Sequence, residues 1–423
     1  MIDADLLITN AAQLVTCASP DGPKRRESMG DVGIIPDGAV AIVDGKFVAV
    51  GPTTEILRTY DSAHIVYAKG SVICPGFVDP HTHIVYAGDR LNEFELKIKG
   101  AEYLEILAAG GGIISTVTNT REASVEELAS PARQRLDKML ACGTTTCEVK
   151  TGYGLDVETE LRMLEVIARL DETHPVDISP TLLAAHTIPP EYSGNANAYV
   201  DLICEEMLQL AWKWYEQSHF ASKKIPFFCD VFTEKNAFDL EQSRRLLGEA
   251  KSMGFKIKAH VDQFTNLGGA RTSIQMGAVS VDHLDAISDD EINLLAESGT
   301  VGVMIPTENF NAGKSQFANA RKMIDAGCAI ALSTDYNPGS APCPSMSMAM
   351  AIACRYQKLL PAEALNAATI NAAHALGLGD RFGSVEVGKN ADVLILDTAD
   401  YRQLMYEFGG NSVRSIIKSG TLI

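Results

Sequence analysis

The apolar residues of this chain fall into two textures. Near the start they come in short runs with little helical spacing. Leu6-Leu-Ile-Thr-Asn10 reads as a strand, and Ala39–Val43, Asp44-Gly45 and Lys46–Val50 read as a hairpin, with an Asp-Gly turn between β-rich runs. The last stretch looks alike: turn-rich residues 383–389, then strand-like Ala391–Asp397 and Ser412–Lys418. Neither end has enough strands for a stable sheet, and chain termini often lie close together. The pattern therefore predicts one small β-sandwich domain from residues 1–70 plus 376–423. Between them, residues 71–375 alternate. Strand-like runs fall at Val72–Val78, Thr144–Val149, Ile178–Ala185, Phe227–Phe232, Phe255–Ala259, Val279–Asp282, Val301–Ile305 and Ala329–Ser333. Helical spacing marks Ser124–Leu140, Val157–Leu170, Asp201–Gln217 and Leu240–Met253, the last stopped by Gly254. Eight strands alternating with helices predict an α/β fold, a (β/α)8 barrel.

Composition narrows the class. The chain has 423 residues, 46% of them hydrophobic and 21% charged, which suits one large barrel with a minor domain. No apolar run reaches the ~18 residues of a membrane span, and Met1-Ile-Asp-Ala-Asp5 lacks a basic leader, so a cytoplasmic protein with no membrane partner is expected. A formal net charge of −18 argues against nucleic acid as a partner. It also means that an anionic substrate needs a locally placed arginine or lysine. Nine scattered cysteines without a Cys-x-x-Cys pair read as reduced thiols.

The chemistry lies just past the strands. After the first come His81 and His83, whose i, i+2 spacing in extended chain turns both imidazoles to one side. The second ends at Glu148 and Lys150, followed by Tyr153; the third reaches His186, the fifth His260, the sixth His283 and the eighth Asp335. The fourth leads to Thr233-Glu-Lys235 and the seventh to Thr307-Glu-Asn309. Barrel strands present functional residues at their C-terminal ends, around one mouth. Six histidine or aspartate groups on one rim are hard to explain as structure, because barrel cores favour branched apolar side chains. Ala109-Gly-Gly-Gly-Ile113 reads as a loop and lacks the spacing of a phosphate cradle. Glycines would let the stretch Ala101–Asn119 close over a ligand. His374, His64, His174, His219 and the Trp212–Trp214 pair read as packing or surface.

These residues resemble the amidohydrolase superfamily, through Pro75-Gly-Phe-Val-Asp-Pro-His-Thr-His83, the strand-five and strand-six histidines, the strand-eight aspartate and a closing Gly-Lys-Asn-Ala-Asp-Val stretch ending at Val393. Within it, Gly88-Asp-Arg-Leu-Asn-Glu-Phe94, Glu148–Leu155, Ala185–Tyr192, Asp230–Lys235 and Ser333–Ser340 are similar to the imidazolonepropionase family. That resemblance implies hydrolysis of 4-imidazolone-5-propanoate to N-formimidoyl-L-glutamate in histidine degradation. It implies one zinc or iron ion per subunit on His81, His83, His260 and Asp335, and Arg90 and Tyr153 as substrate contacts. A homodimer is the common arrangement of such barrels.

The chemistry of the side chains is consistent with this. Three or four ligands with an open position suit a metal that activates water and polarises a ring carbonyl. Asp335 is then expected to take the water's proton, helped by His283, with His186 on the ring or its developing oxyanion. Arg90 offers a bidentate match to a substrate carboxylate. Tyr153, in a flexible Thr151-Gly-Tyr-Gly154 loop, offers a hydroxyl, and Asn337, Gly339 and Ser340 are placed to hold the ring or the product nitrogen. Gln263, three residues past His260, stands where related deaminases need a titratable glutamate. An amide cannot shuttle protons, so Gln263 favours ring opening over deamination of a nucleobase and reads as a substrate contact. Asp262 alternates to the other face. A two-metal site bridged by a modified lysine would need Lys235, which lies too far past its strand. A barrel kept only as a scaffold conflicts with the intact ligand set.

Overall fold

The computed structural model describes residues 1–100 and 111–423. Eight parallel strands, Phe77–Asp79, Thr144–Lys150, Asp177–Ala185, Phe228–Thr233, Lys256–Val261, Ser280–His283, Val301–Met304 and Ala329–Leu332, pair in chain order from first to eighth. Most of their residues are buried, as strands covered by helices on one face and packed inside a barrel on the other must be. The seam between the first and eighth strands is closed by a side chain. Asp79 accepts hydrogen bonds from the Ser333 hydroxyl at 2.5 Å, the Thr334 amide at 3.2 Å and the Thr334 hydroxyl. Burial still lifts the Asp79 pKa to about 6 against these bonds.

The helices start and stop where local chemistry satisfies their ends. Val125–Ala141 begins at a capping box in which the Ser124 and Glu127 side chains bond each other's backbone amides. Leu240–Met253 has the same device from Asp239 and Gln242, and ends at Gly254 with φ 113°. The stretch expected as one helix over 201–217 is longer. It runs from Ala196 to Gln217, with a widened π turn at Ile203–Met207.

The two chain ends do combine. Leu6–Val15, Ile34–Val43, Lys46–Pro52, Val393–Leu396, Val413–Lys418 and Thr421–Leu422 lie in one sheet, with Ile65–Tyr67 beside the first of these. The expected first barrel strand over 72–78 is split between the two sheets. Val72–Pro75 belongs to the terminal sheet, between Gln13–Leu14 and Val393–Leu396. Only Phe77–Asp79 enters the barrel. Gly76 stands at the break, where a Cβ would fall 2.1 Å from the Thr145 hydroxyl. Lys418 ties the bodies together, reaching Asp177 at the start of the third barrel strand and Asp392 at 2.5 Å.

Of the stretch Ala101–Asn119, residues 101–110 lie outside the described residues; from Ile113 the chain is helical to Glu122, where a loop was expected. All nine cysteines are unpaired. No helix among the described residues is long and apolar enough to cross a membrane.

Candidate active site

The rim residues meet at the C-terminal mouth of the barrel. His81, His83 and His260 each bring a ring nitrogen within 4.8 Å of the others, and so do His81, His283 and the Asp335 carboxylate. The Nε2 atoms of His81 and His83 are 3.3 Å apart. Asp335 Oδ1 lies 3.5 Å from His83 Nε2 and 3.8 Å from His81 Nε2. His81 Nδ1 donates to Asp282 at 2.6 Å, which leaves its Nε2 lone pair directed at this cluster. Neither nitrogen of His260 makes a hydrogen bond, although its Nδ1 sits 3.0 Å from Asp230; His83 Nδ1 is also without one. Burial, reinforced by neighbouring cationic groups, drives the His81 and His83 pKa values well below the ordinary histidine range. Neutral, buried imidazoles converging with a carboxylate are the donor set that a metal ion requires, and they fit one here.

Above the cluster is a cavity of about 170 Å³ lined by Arg90, Tyr153, His186, Gln263, Asn337, Gly339 and Ser340, together with Lys97, Ile113 and Phe232. All seven residues expected around a substrate are thus on one wall system, but several have other attachments. Arg90 is bonded to Glu93 by Nε at 2.6 Å and by a terminal nitrogen at 2.9 Å. Lys97 joins the same carboxylate at 2.6 Å. These bonds outweigh burial and hold Glu93 down at about 2. A Cβ on Gly339 would fall 2.9 Å from the guanidinium, so the glycine makes room for Arg90. Asn337 is used inside its own loop: its amide bonds Asp335 O at 2.7 Å and Ser340 Oγ at 2.9 Å, and its oxygen accepts from the amides of Gly339 and Ser340, both at 2.8 Å.

Tyr153 is buried rather than displayed on a flexible loop. The Glu160 carboxylate pins that loop by accepting from the amides of Gly152, Gly154 and Leu155, at 3.2, 2.8 and 2.9 Å. His186 stacks on His83, with ring centres 5.0 Å apart and planes 17° apart. Its Nδ1 donates to Gly152 O at 3.0 Å, and burial takes its pKa down to about 3. Neutral and so oriented, it presents Nε2 as an acceptor. Of the two contacts expected of it, the ring or its oxyanion, such an acceptor suits a ring N–H.

Gln263 donates to Glu308 at 2.9 Å. The same carboxylate lies 3.4 Å from His283 Nδ1 and 3.1 Å from Lys314. Burial alone would lower His283, but Glu308 and then Asp335 outweigh it and raise its pKa; in return Glu308 is held at about 2. Asp335 is pushed up to about 8 by burial, with His283 opposing. Asp262 is buried away from the cavity lining with both oxygens unpartnered, and Lys235 is exposed.

Sequence reasoning assigned no role to Asp230, Asp282 or Lys258. Their signal is a charged residue inside an otherwise apolar strand, one or two positions from a rim histidine or one strand over.

The amidohydrolase family matches residues 234–423. The imidazolonepropionase of Chloroflexus aggregans is 53% identical over 423 residues, covering 100% of this chain and 99% of that protein. The imidazolonepropionase of Herpetosiphon aurantiacus is 50% identical, covering 100% and 98%. The chain belongs to the imidazolonepropionase family. Its fold is shared more widely. A zinc-bound adenosine deaminase from Xanthomonas campestris superposes with a TM-score of 0.74 at 21% identity, over 100% of this chain and 93% of that one. A guanine deaminase from C. acetobutylicum superposes at 0.70 with 15% identity, over 99% of both chains.

Proposed function

We propose that this chain hydrolyses the ring C–N bond of 4-imidazolone-5-propanoate to give N-formimidoyl-L-glutamate, in histidine degradation, using one zinc or iron ion held by His81, His83, His260 and Asp335. The observation that carries the reading is that a guanidinium, Arg90, stands on the wall of the cavity whose floor is the imidazole cluster, in a chain so close to this family. A bound ion would supply Lewis acidity toward water and toward the ring carbonyl.

The residues do the rest. Asp335, whose Oδ1 lies 3.5 Å from His83 Nε2 and 3.8 Å from His81 Nε2, accepts a proton from the attacking water. His283, whose pKa Glu308 raises, is placed to donate toward the developing charge or the departing nitrogen. His186 Nε2 accepts a ring N–H. Gln263 spends its NH₂ on Glu308, which leaves its carbonyl oxygen as a second acceptor. Arg90 keeps one terminal nitrogen, whose contact among the described residues is Thr116 at 3.5 Å, for the propionate. Gln263 cannot titrate, which disfavours the glutamate-dependent deamination of a nucleobase.

The test is to incubate the purified protein with 4-imidazolone-5-propanoate and follow loss of the ring chromophore, with metal content measured in parallel. Turnover that a chelator abolishes supports the reading. Metal-loaded protein that leaves this ring intact but releases ammonia from a nucleobase overturns it.

A further inference from the structure

Beneath the imidazole cluster lies a group of five fully buried charges: Lys150, Lys258, Glu148, Asp230 and Asp282. None of them lines the cavity. The two carboxylates nearest the cluster each face a different histidine. Asp282 Oδ2 is 2.6 Å from His81 Nδ1, and Asp230 Oδ2 is 3.0 Å from His260 Nδ1. One ammonium holds both. Lys150 Nζ lies 2.6 Å from that same Asp230 oxygen and 3.8 Å from that same Asp282 oxygen, with Glu148 at 2.9 Å. Lys258 lies equally far from Asp282, at 3.8 Å, and bonds Glu148 and the Pro80 carbonyl, both at 2.8 Å, but it makes no ion pair with Asp230, so of the two ammoniums Lys150 is the one that reaches both aspartates.

We infer, on the reading of the centre given above, that Lys150 is a positioning residue for the metal: its ammonium fixes the two carboxylate oxygens that aim His81 and His260, and so sets how tightly and in what geometry the ion is held. The physical reason is a matter of tautomers. A carboxylate behind Nδ1 keeps the proton there and leaves Nε2 as the donor to the ion. Three carboxylates in one dry space repel one another, and without Lys150 only Lys258 would be left to hold them, with nothing of its own on Asp230. Asp282 turning away leaves His81 Nδ1 without its acceptor, and Asp230 turning away removes the carboxylate that faces His260 Nδ1; either ring is then freer to rotate or to carry its proton on Nε2. Because Lys150 comes from the second strand, while the histidines follow the first and belong to the fifth, it couples two ligands that share no other side-chain anchor in this group.

The experiment uses the full chain stripped of metal, titrated with zinc against a chromophoric chelator and separately loaded with cobalt(II) for its visible spectrum. Removing one partner of a buried ionic group leaves an uncompensated charge and risks the fold. The set is therefore wild type, Lys150→Met, and Lys150→Met with Glu148→Gln, which removes one charge of each sign. Wild type is expected to bind one zinc. Either folded variant, judged by near-ultraviolet circular dichroism, is expected to bind zinc 10- to 100-fold more weakly, the usual cost of losing an outer-shell partner, and to shift the cobalt bands. Zinc affinity within twofold of wild type and an unchanged cobalt spectrum in a folded variant overturn the inference. So does failure of both variants to fold, which would make the ammonium a folding element. Absence of zinc binding by wild type overturns the centre itself, a separate outcome.

Discussion

Arg90 grips Glu93 through two hydrogen bonds, of 2.6 and 2.9 Å, and Lys97 shares the same carboxylate. Two cations on one anion leave a net positive wall on the substrate cavity, although the protein as a whole carries −18. Replacing Arg90 with alanine should raise KM for the propionate-bearing ring at least 10-fold while lowering kcat less. Lysine should restore little, because the planar fork is what serves Glu93 and a second carboxylate together. Steady-state kinetics on both variants decide it, and an unchanged KM removes Arg90 from the site.

The same clamp should report on pH. Glu93 has its pKa depressed to about 2. Its stabilising effect is therefore present above the ordinary glutamate pKa near 4.5 and is lost as pH falls from there toward 2. Glu93→Gln should cost on the order of 1 kcal/mol at neutral pH, and the difference from wild type should shrink below about pH 4.5. Urea unfolding at several pH values measures it.

Glu308 sits between Gln263, His283 and Lys314. Glu308→Gln removes the charge that raises the His283 pKa and should lower kcat by about 100-fold, the low end for loss of a positioned proton donor. Metal content should stay at the wild-type level, which separates this effect from damage to the ligands.

Chelation should abolish turnover, and added zinc or iron(II) should restore it. Asp335→Asn should lower kcat by at least about 1,000-fold, because ligand charge and proton acceptor are lost together. Metal analysis beside the rate assay distinguishes the two contributions.

Lys418 joins the barrel to the terminal sheet through Asp177 and Asp392. Lys418→Met strands a buried Asp392 and should destabilise the protein by about 3 kcal/mol. Chemical denaturation is the measurement.

Much of this was legible before any coordinates. Helical spacing and the stop at Gly254 marked Leu240–Met253 to the residue. The rim histidines announced themselves because an imidazole at a strand end is out of place in an apolar core. Other features were hidden by the nature of the signal. The run Val72–Val78 is uniformly apolar, and hydrophobicity cannot say that its halves serve different sheets; only the crowding at Gly76 does. The orientation of His186 depends on a carbonyl 34 residues away, and Gln263 reaches a carboxylate 45 residues on. Asn337 lines the cavity as expected of a substrate contact, and it also bonds residues two and three positions away in its own loop. The long-range pairings of His186 and Gln263 follow from tertiary packing and leave no local pattern.

The shared run at residues 72–79 joins the two sheets mechanically. Val72–Pro75, a few residues before His81 and His83, has residues 393–396 as one of its two neighbours. A change that loosens this distant strand is expected to reach the first pair of imidazoles through Phe77–Asp79.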